Sequence, residues 1–135
     1  MREIKFRGKR TDNGEWVYGD FNRYSEDEST ITVDLLEQET HWVQTETVGQ
    51  YTGLKDKNGR EIYEGDIVKN GQTVVYTTGA KCDFYDEGKV KYDTKNGCLV
   101  INNGNGYSKR LTQRMIETNN IEVIGNIHEQ EKETR

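Results

Sequence analysis

Apolar and polar positions alternate on both sides of an Asn58-Gly59 pair in the stretch VGQYTGLKDKNGREIYEGDIV, residues 48–68. Alternation with a period of two is typical of half-buried strands. Asn-Gly favours a tight hairpin turn because both residues tolerate a positive φ at low steric cost. We therefore predict a hairpin here, whose returning strand runs into a corner at Gly65-Asp66.

The same pattern occurs near the start of the chain. Ile4 and Phe6 lie two apart, Asn13-Gly14 marks a turn, and a second apolar run, WVY, follows. The two stretches match, with a single insertion at Glu64, at Gly8/Gly53, Asn13-Gly14/Asn58-Gly59, Tyr18/Tyr63 and Gly19-Asp20/Gly65-Asp66. We interpret this as one hairpin-and-corner arrangement used twice. The alternative is that any two Asn-Gly hairpins look alike.

Residues 22–47 are more polar. Glu26, Asp27 and Glu28 predict an exposed acidic loop, whereas Ile31 and Val33 predict the start of a strand. Trp42-Val43 predicts a second strand. The segment between them, LLEQET, fits either a hairpin loop or a short helical turn.

The second half of the chain predicts short strands joined by turns. IYEGDIV leads through Asn70-Gly71 to TVVY, and GKVKYD leads through Asn96-Gly97 to CLVIN, with a polar link at 77–87 between the pairs. A helical face is predicted at Leu111, Met115 and Ile116, with the helix ending at Asn119-Asn120. A final strand follows, with Ile121, Val123 and Ile127 on one side.

Composition narrows the fold and the class of protein. Six Asn-Gly pairs and no proline predict many tight turns and a small all-β barrel or sandwich. Leu, Ile, Val and Phe together make up 27 of the 135 residues, so the core is thin and we expect a homo-oligomer that completes it. A net charge of -5 and a pI near 5.1 argue against one large nucleic-acid-binding face.

Targeting signals are not apparent in the sequence. The first residues, MREIKFRGKR, lack the apolar core of a signal peptide, and no apolar run approaches the length of a membrane span. Cys82 and Cys98 are too few for a disulfide scaffold, although one disulfide between them stays open. We therefore expect a cytoplasmic protein that does not associate with membranes.

Three segments carry a family resemblance: IKFRGKR with GEWVYGDF near the start, VGQYTGLKDKNGREIYEGDIV in the middle, and EVIGNIHE at the end. In their order and spacing they resemble the YopX-like family of bacteriophage and prophage proteins. The resemblance implies a small β-rich protein whose C-terminal half is an SH3-like barrel. It supplies no enzymatic activity and no catalytic residues. Residues 69–86 depart from the family pattern.

Together these observations predict a mostly β fold with at most one or two short helices. We expect an N-terminal β-hairpin unit at 1–60, an SH3-like β-barrel at 61–128 and a flexible tail at 129–135. Since SH3-like barrels host many unrelated roles, the fold does not determine the function.

The first strand carries the one candidate binding site. Lys5, Arg7 and Lys9 share one face of a strand, opposite Ile4 and Phe6, and Arg10 follows. We expect Ile4 and Phe6 to face the interior and the cations to face solvent, where they could neutralise nucleic-acid phosphates. The alternative is an ordinary solvated face, or an edge strand protected from aggregation by charge.

Other motifs give no candidate chemistry. His41, His128, Cys82 and Cys98 show no zinc-ligand spacing, and neither cysteine forms a nucleophile–histidine pattern. NGNGYS, residues 103–108, lacks the Lys-Ser/Thr of a phosphate-binding loop. We predict no catalytic residues, no metal site and no cofactor.

Aromatic residues are numerous for a core of this size. An exposed row of them could stack nucleic-acid bases or anchor a protein partner, whereas cross-strand aromatic pairs would stabilise the sheets. The residues concerned are Trp16, Tyr18, Trp42, Tyr51 and Tyr63.

The favoured function is a phage- or prophage-encoded, non-catalytic, oligomeric protein-interaction module in the cytoplasm of a bacterial host. Its partner would be a phage or host protein. The alternative is a weak nucleic-acid-associated module that uses the basic N-terminal strand. An enzyme is the third hypothesis, although no acid–base or nucleophile constellation supports it.

Overall fold

The computed structural model describes residues 4–34, 36–104 and 108–128. The chain divides into two compact units, Met1–Gly53 and Leu54–Arg135. The sequence predicted a division at 60/61. Because the observed division falls after Gly53, the turn at Asn58-Gly59 belongs to the second unit. The expected tail, 129–135, lies outside the described residues.

The elements of the first unit are short strands and one 3-10 turn. In chain order they are β1 (Phe6–Lys9), β2 (Trp16–Arg23), β3 (Ser29–Asp34), β4 (Glu39–Val43), the 3-10 turn Thr45–Thr47, and β5 (Gly49–Lys55), which runs past the division. They pair antiparallel in the order β4-β3-β2-β1-β5. The predicted turn at Asn13-Gly14 is confirmed, since Gly14 has a φ of 72° and lies between β1 and β2.

The β2 strand changes partner at Gly19. Residues 16–19 pair with β1, whereas Asp20 to Arg23 pair with β3. A Cβ atom at Gly19 would overlap the carbonyl oxygen of Thr32, so only glycine allows β3 to approach this closely. Of the two alternatives for LLEQET, the described residues support a hairpin loop, because residues 36–38 form the turn between β3 and β4.

β4 returns to the end of β1 and closes the first four strands into a small ring. The N–H of Thr11 donates to the carbonyl of Trp42 (3.0 Å), and the N–H of Gln44 donates to that of Lys9 (2.8 Å). Inside the ring lie the fully buried side chains of Ile31 and Val43. Gly8 faces both, and a Cβ there would lie only 3.2–3.3 Å from their atoms.

The described residues of the second unit form six strands and a helix. They are β6 (Glu61–Tyr63), β7 (Asp66–Val75), β8 (Lys81–Asp93), β9 (Cys98–Asn102), β10 (Ser108–Arg110), α1 (Gln113–Asn119) and β11 (Glu122–Asn126). Five strands form an antiparallel sheet in the order β10-β9-β8-β7-β11. Its buried core comprises Ile62, Val68, Val90, Ile101, Leu111, Ile116, Ile121 and Val123.

The helix ends at Asn119-Asn120 as predicted, but Leu111 precedes it, because α1 begins at Gln113. The final strand is confirmed at Glu122–Asn126, whereas the predicted common face of Val123 and Ile127 is wrong, because a register shift after Val123 puts Asn126 on that face. Thr112 caps α1 by accepting a hydrogen bond from the N–H of Met115 (3.1 Å). Asn120 ends it in the left-handed conformation, with a φ of 53°. Leu111 and Ile116 are buried, and Met115 packs beside them.

The predicted turn at Asn70-Gly71 is wrong. β7 runs straight through this pair, with Asn70 opposite Asp86. The turn lies instead at 76–80, where Gly79 has a φ of 87° and the N–H of Tyr76 donates to the carbonyl of Ala80. Cross-strand pairing over the whole of β7 therefore overrides the local turn preference. The polar link predicted at 77–87 is wrong for the same reason, because β8 begins at Lys81.

The corner at Gly65-Asp66 is confirmed. Gly65 has a φ of 93°, and the buried Asp66 carboxylate accepts the N–H of Tyr63 at 2.8 Å. The corresponding Asp20 is exposed and lies within a strand opposite Thr32. The predicted mostly β fold is confirmed, and α1 is a short helix within the described part of the chain. The SH3-like barrel stays a prediction, and the strand order does not conflict with it.

Candidate functional site

The basic first strand does not face solvent as expected. Arg7 and Lys9 are only 4% and 5% exposed, whereas Ile4 is 70% exposed. The expectation that the cations point outward is therefore wrong for these two residues. Phe6 does lie on the same face of β1 as Gly8, because the two residues are two apart in the strand. Gly8 faces the buried Ile31 and Val43.

Aromatic rings cover the cations of this strand. The guanidinium carbon of Arg7 lies 4.8 Å from the ring centre of Trp16, and the Lys9 ammonium lies 5.5 Å from the same ring. The Lys5 ammonium lies 5.4 Å from the ring centre of Tyr51. Cations at these distances are attracted to the face of the ring, and their apolar stems pack beside it. Sequence reasoning missed this arrangement, although the cross-strand pairing of Lys9 with Trp16 produces it.

Arg10 forms a bidentate salt bridge with Asp12. Its Nε and Nη2 atoms donate to the two carboxylate oxygens of Asp12 at 2.9 and 2.7 Å. This hydrogen bonding raises the pKa of Arg10 and lowers the pKa of Asp12. The four predicted phosphate-binding residues are thus adjacent in the chain, but each already has a neighbour: a ring for Lys5, Arg7 and Lys9, and a carboxylate for Arg10.

An exposed aromatic pair lies at the edge of the first unit's sheet. Tyr24 and Trp42 are 66% and 54% exposed, and their ring centres lie 5.8 Å apart at an angle of 53°. Trp42 is on β4, the edge strand, and Tyr24 directly follows β2. Of the aromatic residues singled out in the sequence, Tyr18 is also exposed, whereas Tyr51 and Tyr63 are buried.

Tyr24 was not predicted as part of a site. Its position follows from the register: Asn22 lies opposite Thr30, and Thr30 lies opposite Trp42. Tyr24 has the same strand parity as Asn22 and so reaches the face that carries Trp42. This relation needs the pairing of three strands, which local patterns do not give.

Polar residues flank Tyr24 in the chain and bond to one another. Arg23 donates to the carbonyls of Ser25 and Glu26, and Ser25 bonds the carboxylate of Glu28. The acidic loop predicted there is exposed. An apolar centre within a polar rim is the usual composition of a protein-binding surface. We call Tyr24 and Trp42 the aromatic pair below.

His41 belongs to the first unit, whereas Cys82, Cys98 and His128 belong to the second. His41 contacts Glu39 at 3.1 Å on β4, and Cys82 and Cys98 are free thiols of intermediate exposure. Within 4–34, 36–104 and 108–128, no group of three or more His, Cys, Asp or Glu residues could hold a metal ion.

Asp93 has a lowered pKa for a local reason. Its carboxylate accepts hydrogen bonds from the side chain of Asn96 (2.7 Å) and from the N–H of Lys95 (3.0 Å) in the β8–β9 turn. The shift therefore belongs to a turn, and it does not indicate a catalytic acid. No helix of the described chain has the length and apolar character needed to cross a membrane.

Comparison with known proteins identifies a family. A family model described as YopX protein matches residues 5–132. The match includes both units and nearly the whole chain. No curated protein matches the sequence.

Proposed function

The chain belongs to the YopX protein family, and we propose that it is a non-catalytic interaction module that associates with a second copy of itself. The observation that carries this proposal is the aromatic pair on the edge strand β4. Trp and Tyr are the residues most enriched among those that dominate the energy of protein interfaces. An exposed pair of tilted rings in contact offers a large apolar surface at low entropic cost, because each ring is already restrained by the other.

The position of the pair favours a second copy as the partner. β4 ends the strand order, and the hydrogen bonds that close the ring, at Trp42 and Gln44, lie at its C-terminal end. An edge strand can extend its sheet by pairing with another strand, and two identical edges meet naturally across a two-fold axis. Such pairing places both aromatic pairs on the same face of the extended sheet.

Composition supports the same conclusion. Few aliphatic residues are available for two units, and association removes further apolar surface from water.

Sedimentation equilibrium over a range of protein concentrations tests the proposal. We expect a reversible dimer or higher oligomer, and we expect Trp42→Ala to raise the dissociation constant by at least about tenfold, which corresponds to about 1.4 kcal/mol. Tyr92→Ala is the matched control, because Tyr92 is 46% exposed and lies in the second unit. A monomer at all concentrations, or equal effects of the two substitutions, would contradict the proposal.

The biological setting is part of the proposal and rests on the family resemblance. We place the protein in a bacteriophage or prophage genome and in the cytoplasm of the bacterial host, with a phage or host protein as a further partner. Affinity capture from infected cells, with the wild type and Trp42→Ala in parallel, tests this. A partner recovered only with the wild type would support a role of the aromatic pair beyond self-association.

Nucleic-acid binding is the second candidate, and burial of Arg7 and Lys9 weakens it. Lys5 and Arg10 are half-buried and are the more accessible cations of the set. Retention on a DNA or RNA column that falls steeply with salt would support this candidate. Loss of retention in a Lys5→Glu, Arg10→Glu variant would assign it to this strand, and absence of retention at low salt would exclude it.

A further inference from the structure

The second unit contains a cleft of about 430 Å³ on the face of its sheet opposite the hydrophobic core. The register fixes this placement. Val90 lies opposite Ile101 in the core, so Lys89, between Ile67 and Asn102, faces the other side. The volume lies within the range of about 300–1,000 Å³ that is usual for small-molecule sites.

Charged residues along β8 make one end of the cleft negative and the other end positive. Glu87, Lys89 and Lys91 alternate along the strand, share one face and all line the cleft. Residues two apart in a strand are separated by about 7 Å, so the two ammonium groups can approach a single anionic group from two sides. Glu87 lies at the other end of the row and opposes a second negative charge there.

The two lysines are available to a ligand. No ion pair joins Lys89 or Lys91 to another residue within the described parts of the chain. Lys91 contributes a weak electrostatic effect to the lowered pKa of Asp93. Both side chains are exposed at the mouth of the cleft.

Asparagine side chains add hydrogen-bonding groups beside the lysines. The side-chain oxygen of Asn102 accepts the N–H of Gly104 at 2.8 Å, which holds the side chain in place and leaves its amide NH₂ as a donor. Asn103 also lines the cleft, and the buried Ile67 supplies an apolar wall. A few convergent polar groups around an apolar wall are typical of a small-molecule site.

We propose that this cleft binds a small polar molecule with one anionic head group, a phosphate or a carboxylate. Lys89 and Lys91 bracket the head group, and Asn102 and Asn103 contact the uncharged polar body. Glu87 excludes long polyanions, which would place negative charge along the whole of the strand. The site is separate from the aromatic pair of the first unit and does not depend on self-association.

Titration followed by amide NMR shifts tests the proposal with two matched probes. Ribose 5-phosphate carries a phosphate on a polyol, and gluconate carries a carboxylate on a polyol, so the pair distinguishes the two head groups. We expect one of them to shift the amides of Lys89, Lys91 and Asn102 in a saturable manner. A short single-stranded oligonucleotide is expected to bind more weakly.

Variants assign the effect to the cleft. We expect the double variant Lys89→Ala, Lys91→Ala to weaken binding by at least about tenfold. Lys95→Ala is the control, because Lys95 is exposed in the adjacent β8–β9 turn and does not line the cleft. Both variants should keep the wild-type spectrum elsewhere, which excludes unfolding. Saturation by neither probe, equal loss in the control, or tighter binding of the oligonucleotide would overturn the proposal.

Discussion

The side chain of Asp56 accepts a hydrogen bond from the backbone N–H of Val123 at 2.9 Å, joining positions 67 residues apart in the chain. Its other carboxylate oxygen accepts the N–H groups of Asn58 and Arg60, both at 2.9 Å. Asp56 is 6% exposed. One carboxylate therefore shapes the Asn58-Gly59 turn and also attaches it to β11, the last strand of the second unit.

Removal of this carboxylate should destabilise the second unit. Asp56→Ala leaves three buried or partly buried N–H donors without their acceptor, so we expect a loss of about 3–5 kcal/mol in the free energy of unfolding. Asp56→Asn retains one acceptor oxygen and should cost less. Urea unfolding followed by circular dichroism measures both. Asp27→Ala, in the exposed acidic loop, is the control, and an equal effect of Asp27→Ala and Asp56→Ala would contradict the assigned role.

Two glycine-to-alanine substitutions distinguish a steric clash of the added Cβ atom from backbone strain at a positive φ. Gly19→Ala should cost at least about 2 kcal/mol, because the new methyl group would overlap the carbonyl of Thr32 and push β3 away. Gly59→Ala should cost about 1 kcal/mol, because Gly59 has a φ of 82° but nothing within 4 Å of the added Cβ.

Unfolding curves distinguish these two costs. Both tryptophans, Trp16 and Trp42, lie in the first unit, so their fluorescence reports the Gly19→Ala effect directly. Gly59→Ala changes the second unit and is better followed by circular dichroism. An alanine at position 19 that costs no more than one at position 59 would refute the close approach of β2 and β3.

Asp93 gives a pH dependence with a definite sign. Its pKa is lowered from the ordinary value of 3.8, chiefly by the hydrogen bond from Asn96. A group with a lowered pKa stabilises the folded state above its unfolded pKa, and this contribution is lost as the pH falls through its folded pKa. We therefore expect the β8–β9 turn to keep its hydrogen bonds at neutral pH and to lose them below about pH 3.8.

An NMR titration of the Lys95 and Asn96 amides between neutral and acidic pH measures this transition. Asn96→Ala should move its midpoint upward towards the ordinary value of Asp93, because the largest cause of the shift is removed. Lys91→Ala should move the midpoint less, since Lys91 is the smallest of the named causes. A midpoint at or above the ordinary value in the wild type would contradict the geometry of this turn.

Local rules predicted the turns and the helix where no tertiary contact competes with them. Asn13-Gly14, Asn58-Gly59 and Asn96-Gly97 each lie at a hairpin turn, and Asn120 ends the helix. The predicted turn at Asn70-Gly71 does not form because β8 supplies a partner for every position of β7 from Ile67 to Val75. The energy of that extended ladder is a property of two distant segments, so the sequence around Asn70 does not contain it.

The candidate surfaces were harder to predict than the elements. The alternation of residues along the strand correctly predicted that Phe6 and Arg7 lie on opposite faces of β1. It did not reveal that Trp16 covers Arg7 and Lys9. The cleft depends on Ile67, Lys89 and Asn102 lying side by side. Such neighbours follow from register across three strands, and register is set by global pairing rather than by local composition.

The hydrogen bonds from Thr11 to Trp42 and from Gln44 to Lys9 also bear on how the protein is made. During synthesis, the opening strand leaves the ribosome long before the segment that completes its ring. A nascent chain cut short ahead of position 44 therefore exposes Ile31 at an incomplete interior. Folding of this ring is thus timed by the arrival of β4 and Gln44, and truncated products of this region should be targets for chaperones and proteases.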